Sequence, residues 1–187
     1  MSFDNKITDL KFHLKGLINK DTCHKLINFY ENHKHMTFSE SSYKFSSNKT
    51  EEDNCNFLNI SELRARPEFI DPYQTILKYL RIVLTQYDIH MRTNLCPTYE
   101  NKFIRIIKYE VGQLIKDHSD VDDNIRGSLT MNLNDDYEGG EFRFFGGRLK
   151  IKLSEGEAML FPAEPVWIHG TEPITKGARY TINCFLR

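Results

Sequence analysis

The apolar residues of this chain change rhythm near its midpoint. In the first half they recur every three or four positions. Cys23, Leu26, Ile27 and Tyr30 fall at helical spacing after Asp21 or Thr22, either of which can cap a helix. From Pro67 to Met91, Ile70, Tyr73, Ile76, Leu77, Leu80, Ile82 and Val83 supply one apolar side of a longer helix. Between the two, residues 39–56 are rich in Ser, Lys, Asn and Glu and read as a polar loop with an edge strand. After Pro97 the period shortens. Residues 103–109 form a β-branched run, followed by short strand-like segments at 127–133, 141–145, 148–153, 158–161, 166–169 and 179–186. Asn-Asp-Asp, Gly-Gly and Glu-Gly turns separate them. That spacing predicts an antiparallel sandwich or jelly roll, with the helices packed on one outer face. The expected architecture is one domain over residues 1–187. Residues 1–97 form a helical support with a polar loop at 39–56, and residues 98–187 form a β core.

Composition narrows the function. A chain of 187 residues with 40% hydrophobic content can bury a substantial core. Its 25 basic and 26 acidic residues give a net charge of −1, which argues against a dedicated nucleic-acid binder. Cys23, Cys55, Cys96 and Cys184 make no CxxC pair, so a structural zinc site is not expected. The polar start Met1-Ser2-Phe3-Asp4-Asn5-Lys6 has no apolar signal core, and no apolar run is long enough to cross a bilayer. The expectation is a cytoplasmic protein with reduced thiols and no membrane partner.

Two segments carry candidate chemistry: His118-Ser119-Asp120 and the later His169. On a strand, residues two apart share a face, so His118 and Asp120 can reach one ion, with His169 as the third ligand. Two histidines and one carboxylate form a facial set that suits non-haem Fe(II) and leaves positions open for reaction. An HxD triplet alone is commonplace, and a lone histidine is more often packed or exposed than ligating. Arg179 alters that balance. A guanidinium matches a carboxylate at two points and stays charged when buried, which suits the far end of 2-oxoglutarate. A metal site that only binds needs no such cation.

At these residues the chain resembles the prolyl 4-hydroxylase-like Fe(II)/2-oxoglutarate-dependent dioxygenases. The resemblance covers roughly residues 15–187 and is strongest from Arg105 onward. It rests on Tyr109-Glu110-Val111-Gly112 before the HxD triplet and on Met131 through Gly139-Gly140-Glu141. It extends to Gly156 through Phe161, and to His169 followed by Pro173 through Lys176-Gly177-Ala178-Arg179-Tyr180. Leu17 through Cys23 is similar to the family's entry into its first helix. The resemblance implies a cupin-like double-stranded β-helix with His118, Asp120 and His169 on iron and Arg179 on the 2-oxoglutarate far carboxylate. Tyr109, Asn132 and Asn183 are implied near the co-substrate, and no catalytic side chain is required beyond the iron site. Asn132 departs from the family, which has tyrosine there; Phe142 departs where the family has threonine. The implied cofactors are Fe(II), 2-oxoglutarate, dioxygen and ascorbate.

The implied reaction is hydroxylation of a protein or peptide side chain, with proline first. Lysyl, small-molecule and nucleic-acid oxygenases are alternatives, as is a non-catalytic metal-binding jelly-roll module. Arg126 and Trp167 are substrate candidates: Arg126 begins a strand, and Trp167 shares a face with His169 by alternation. The loop at 39–56 is long enough to act as a lid. Oligomeric state does not follow from the sequence.

Overall fold

The computed structural model describes residues 6–39, 55–94, 101–121 and 125–187. Most of the polar loop expected at 39–56 lies outside the described residues. Its two ends are strands that pair with each other, β2 (Phe38–Ser39) and β3 (Asn56–Asn59).

Helix α1 spans Lys20–Asn32. Its cap is Asn19, not Asp21 or Thr22. Asn19 has an extended backbone, and its side-chain oxygen accepts from the Thr22 backbone N–H, satisfying a first-turn donor. Asp21 instead sits inside the first turn, where its charge complements the helix dipole. After a short helix α2 (Ile60–Leu63), helix α3 runs Pro67–Met91, as the periodicity predicts, with Pro at its start. Its buried face is the expected one at Ile76, Leu80 and Val83, with Tyr73 and Leu77 packed against the core, and differs at its edges. Phe69, Pro72, Ile76, Leu80 and Val83 are buried, while Ile70 is 50% and Ile82 38% exposed.

A seven-stranded antiparallel sheet organises the molecule. It comprises β1 (Phe12–Leu14), β2, β3, β4 (Asn101–Tyr109), β5 (Gly127–Asn132), β9 (Ala158–Pro162) and β12 (Arg179–Leu186), in the order β1-β9-β5-β12-β4-β3-β2. Two smaller sheets complete the set of strands. One is β10 (His169–Thr171), β7 (Phe142–Phe144) and β8 (Leu149–Ile151); the other is β11 (Ile174–Lys176) with β6 (Glu138–Gly139). This is a double-stranded β-helix with helices on one side.

Alternation along the central strands sorts residues between two faces. Ile104, Ile106, Leu129, Met131, Leu160, Ile182 and Cys184 join Leu26, Tyr30, Phe69, Ile76 and Val83 in one core beneath the helices. The opposite face carries Arg105, Ile107, Tyr109, Ser128, Thr130 and Asn183 and lines a pocket. Every residue of β5 is buried, because both of its faces are covered.

Three expected strand placements differ. His118 forms an isolated bridge with His169 and Asp120 lies outside any strand, so a loop and not strand pleating brings the HxD pair to one ion. Residues 166–168 are not strand: the Trp167 N–H bonds the Glu164 carbonyl in a turn, and β10 begins at His169 itself. Arg179 is not on the strand after His169, because β11 intervenes and pairs with β6.

Trp167 lies in a third apolar cluster with Phe142, Phe144, Leu153, Met159 and Phe161, and is 1% exposed. Its role is to pack behind His169. Trp167→Ala is expected to cost about 3–5 kcal/mol of folding stability, as deletion of a large core aromatic does. A denaturant titration checks this, and a loss under about 1 kcal/mol would contradict a core role.

Candidate active site

Asp120 stands at the centre of the site. Its Oδ1 lies 3.2 Å from His118 Nε2, and its Oδ2 lies 3.3 Å from His169 Nε2. Ligand atoms of all three residues lie within 4.8 Å of one another. The two imidazoles approach through a shared antiparallel bridge: the His118 N–H bonds the His169 carbonyl and the His169 N–H the His118 carbonyl, each at 2.9 Å. Gly170 makes that crossing feasible. A Cβ there would stand 2.6 Å from the Ile115 carbonyl oxygen and 2.7 Å from Asp117 Oδ1.

Each ring is oriented by its other nitrogen. His118 Nδ1 is 2.8 Å from the Lys116 carbonyl, and His169 Nδ1 is 3.0 Å from the Trp167 carbonyl. A carbonyl only accepts, so each Nδ1 carries a proton, and in the neutral ring Nε2 presents a lone pair. Burial pulls the His169 pKa down, outweighing the opposing pull of Asp120, and keeps that imidazole neutral. Burial alone would raise the Asp120 carboxyl. Its close neighbours His118, His169 and the Ser128 hydroxyl hold it below its ordinary value instead. Ser128 Oγ donates to Asp120 Oδ2 at 2.5 Å. Two lone pairs and a carboxylate facing one another repel unless a cation lies among them. The donor set therefore fits a divalent metal. The His118 side chain is 40% exposed, against 7% for His169, so the site opens past His118.

Arg179, 1% exposed, lies apart from these ligands at the start of β12. Its Nε donates to Asn132 Oδ1 at 3.2 Å and an Nη to the Gly140 carbonyl at 3.0 Å. The guanidinium lies over Phe142 and Tyr109, 4.7 and 5.4 Å from the ring centres. Gly140 has φ +70, and a Cβ there would meet Ile174 at 2.6 Å, so glycine is what lets its carbonyl reach the arginine. Asn132 Nδ2 donates to the Asn134 and Leu153 carbonyls and to the Tyr137 hydroxyl. Its donors are spent within the chain, and it orients Arg179 through its oxygen.

Tyr109 and Asn183 line the pocket together with His118, Asp120 and His169. Arg126 is exposed and absent from the pocket wall, and Trp167 is core. The sequence reading missed Ser128, Tyr137 and Arg105. Tyr137 is 4% exposed beside Arg179, and burial raises its pKa despite the arginine's charge. Arg105 had left a visible mark, a charged residue among apolar ones in Phe103-Ile104-Arg105-Ile106-Ile107.

Two histidines and a carboxylate on one pocket wall of a β-helix, with a buried arginine deeper in the fold, form a candidate non-haem iron site. Residues 104–187 match the family model described as the 2OG-Fe(II) oxygenase superfamily. This match and the fold, which is that of the prolyl hydroxylases, support a 2-oxoglutarate-dependent dioxygenase. A viral collagen prolyl hydroxylase from Paramecium bursaria Chlorella virus-1, in its 2-oxoglutarate complex, has a TM-score of 0.69 at 20% identity, covering 95% of each chain. A Pseudomonas putida prolyl-4-hydroxylase has a TM-score of 0.73 at 16% identity, covering 97% of this chain and 96% of that one. A Trichoplax adhaerens prolyl hydroxylase, in complex with a hypoxia inducible factor oxygen degradation domain peptide fragment, has a TM-score of 0.69 at 15% identity. That match covers 96% of this chain and 84% of the other. No curated protein sequence matches the chain. No helix among the described residues is long and apolar enough to cross a membrane.

Proposed function

We propose that the protein hydroxylates a protein or peptide side chain, with proline as the first candidate. His118, Asp120 and His169 hold Fe(II), and Arg179 holds the far carboxylate of 2-oxoglutarate. Bound together, Fe(II) and 2-oxoglutarate activate dioxygen, so that one oxygen atom enters a substrate C–H bond and 2-oxoglutarate becomes succinate and carbon dioxide. The chain's own part is placement. The Lys116 and Trp167 carbonyls keep both Nε2 atoms unprotonated, Ser128 fixes the carboxylate, and Phe161 and Phe144 shield His169 at 4.7 and 5.7 Å between ring centres. Tyr109 stands beside Arg179 on the pocket wall, where its hydroxyl suits the co-substrate. Ascorbate is the expected reductant that sustains the ferrous state. The prolyl assignment draws on the named activities of the structural neighbours, one of them a complex with a peptide.

One observation carries this reading: two Nε2 lone pairs and a carboxylate converge with a buried guanidinium deeper in the same β-helix. Anaerobic titration with Fe(II) and 2-oxoglutarate is expected to give the visible charge-transfer band of their chelate. Proline-containing peptides should then gain one oxygen atom by mass. A folded protein without the band refutes the oxygenase site, and a band without peptide oxidation refutes the prolyl substrate alone.

Tyr137 compensates for the tyrosine that Asn132 replaces. Its hydroxyl lies on the Asn132 amide that orients Arg179. Tyr137→Phe is expected to raise the 2-oxoglutarate requirement about fivefold, the loss of one buried hydrogen bond of about 1 kcal/mol. An unchanged requirement would separate Tyr137 from the anchor.

A further inference from the structure

Arg179 sits where its strand is supported by a neighbouring strand on one flank only. On that flank it pairs in register with Tyr109 of β4. On the other, β5 ends at Asn132, opposite Thr181, while β12 reaches back to Arg179. One further backbone bond, from the Leu133 N–H to the Tyr180 carbonyl at 2.9 Å, closes that ladder. The Ala178 carbonyl and the Tyr180 N–H then face a turn and not a strand. Buried backbone groups in that position need partners from elsewhere.

A side chain takes the place of the missing rung. Asn134 Oδ1 accepts from the Tyr180 N–H at 2.8 Å, and Asn134 Nδ2 donates to the Ala178 carbonyl at 2.7 Å. These are the backbone groups on either side of Arg179. An N–H only donates and a carbonyl only accepts, so the amide has one possible orientation. Nδ2 also donates to Asp136 Oδ1 at 2.6 Å. Asn134 is 9% exposed, and it belongs neither to the metal-ligand set nor to the pocket wall. The same turn supplies Asn132 Oδ1 and the Gly140 carbonyl, which hold the guanidinium itself. Residues 132–140 therefore grip Arg179 at both ends, its backbone through Asn134 and its head through Asn132 and Gly140. A guanidinium meets a carboxylate through two donors fixed in one plane, so a small rotation of its strand misaligns both together.

We propose that Asn134 is a positioning residue for 2-oxoglutarate: its amide fixes the stretch of backbone from which Arg179 reaches the far carboxylate. This rests on the role proposed above for Arg179.

The test titrates the full chain anaerobically with Fe(II) and then with 2-oxoglutarate, reading the chelate band. Asn134→Ala is expected to weaken 2-oxoglutarate binding about five- to tenfold, the effect of one or two lost hydrogen bonds. Fe(II) binding without 2-oxoglutarate, read by quenching of the chain's single tryptophan, Trp167, should stay near the unaltered value. A double-mutant cycle separates positioning from general support of the fold. In the Arg179→Gln background, Asn134→Ala should change 2-oxoglutarate affinity by less than about twofold, because the group it positions is already gone. A residue that only supports the fold would add its full loss there. Asn134→Asp keeps an acceptor for the Tyr180 N–H and lacks both donors; it is read in the same way if the alanine variant does not fold. Unchanged 2-oxoglutarate affinity in Asn134→Ala overturns the proposal. So does an equal loss with and without Arg179, a matching loss of Fe(II) affinity, or failure of both variants to fold. Arg179→Gln binding 2-oxoglutarate as the unaltered protein does faults the anchor assignment instead, and no band in the unaltered protein faults the oxygenase reading.

Discussion

His169→Ala is expected to abolish the chelate band and all 2-oxoglutarate turnover while leaving the β-helix folded. The imidazole is one of three groups converging on the metal position, and it lies 3.3 Å from Asp120. Removing it leaves one nitrogen and one carboxylate, too few to hold Fe(II) against water. The loss should exceed the about 10–100-fold that follows removal of a group behind a ligand. The fold should survive because its cores lie elsewhere: the helical core does not include His169, and the aromatic cluster behind it is anchored by Trp167, Phe144 and Phe161. The backbone bonds between residues 118 and 169 do not use the side chain. Near-ultraviolet circular dichroism checks the fold and the anaerobic titration checks the site. His118→Ala should lose the band equally and disturb stability less, since its side chain is 40% exposed. Wild-type turnover in either variant would refute the ligand assignment.

Long or strongly periodic elements were legible in the sequence. The helix at Pro67–Met91 and the strand Arg179–Leu186 stand where the pattern puts them. In both, one or two buried faces are written along enough residues to fix the period. The buried face of the helix was less legible. Ile70 and Ile82 look like core by residue type, but the core forms on Phe69, Ile76, Leu80 and Val83. Sequence spacing gives a periodicity, and the partner surface chooses the phase.

The candidate site was legible as residue types at a spacing, and its geometry was not. His118, Asp120 and His169 do converge, though through an isolated bridge and a loop. Strand pleating predicts the same shared face, so their convergence was expected from a local structure that is not there. Asn132 illustrates the opposite case. Read alone it is a shortened donor for the co-substrate. In the fold its amide donors go to the Asn134 and Leu153 carbonyls and the Tyr137 hydroxyl, contacts set by turns the sequence does not encode locally. Trp167 followed the same rule: its turn to Glu164 faces it into the aromatic cluster and away from the mouth.

Arg179→Gln is expected to raise the 2-oxoglutarate requirement steeply while the iron ligands remain in place. Glutamine keeps a hydrogen-bonding head near Asn132 and Gly140 but removes the charge. An anionic carboxylate bound there would then be buried without a cation. Truncating one member of such a pair costs about 2–5 kcal/mol, which is about 30-fold to several thousandfold in affinity. The effect should fall on the co-substrate rather than on iron, because Arg179 bonds Asn132 and Gly140 and none of the metal-ligand set. Raising 2-oxoglutarate should therefore restore the chelate band in Arg179→Gln, whereas no concentration should restore it in His169→Ala. That contrast separates anchoring from ligation. Arg179→Lys should recover part of the affinity, since a point charge replaces a planar fork that pairs with a carboxylate at two positions. An unchanged requirement in Arg179→Gln would refute the anchor assignment.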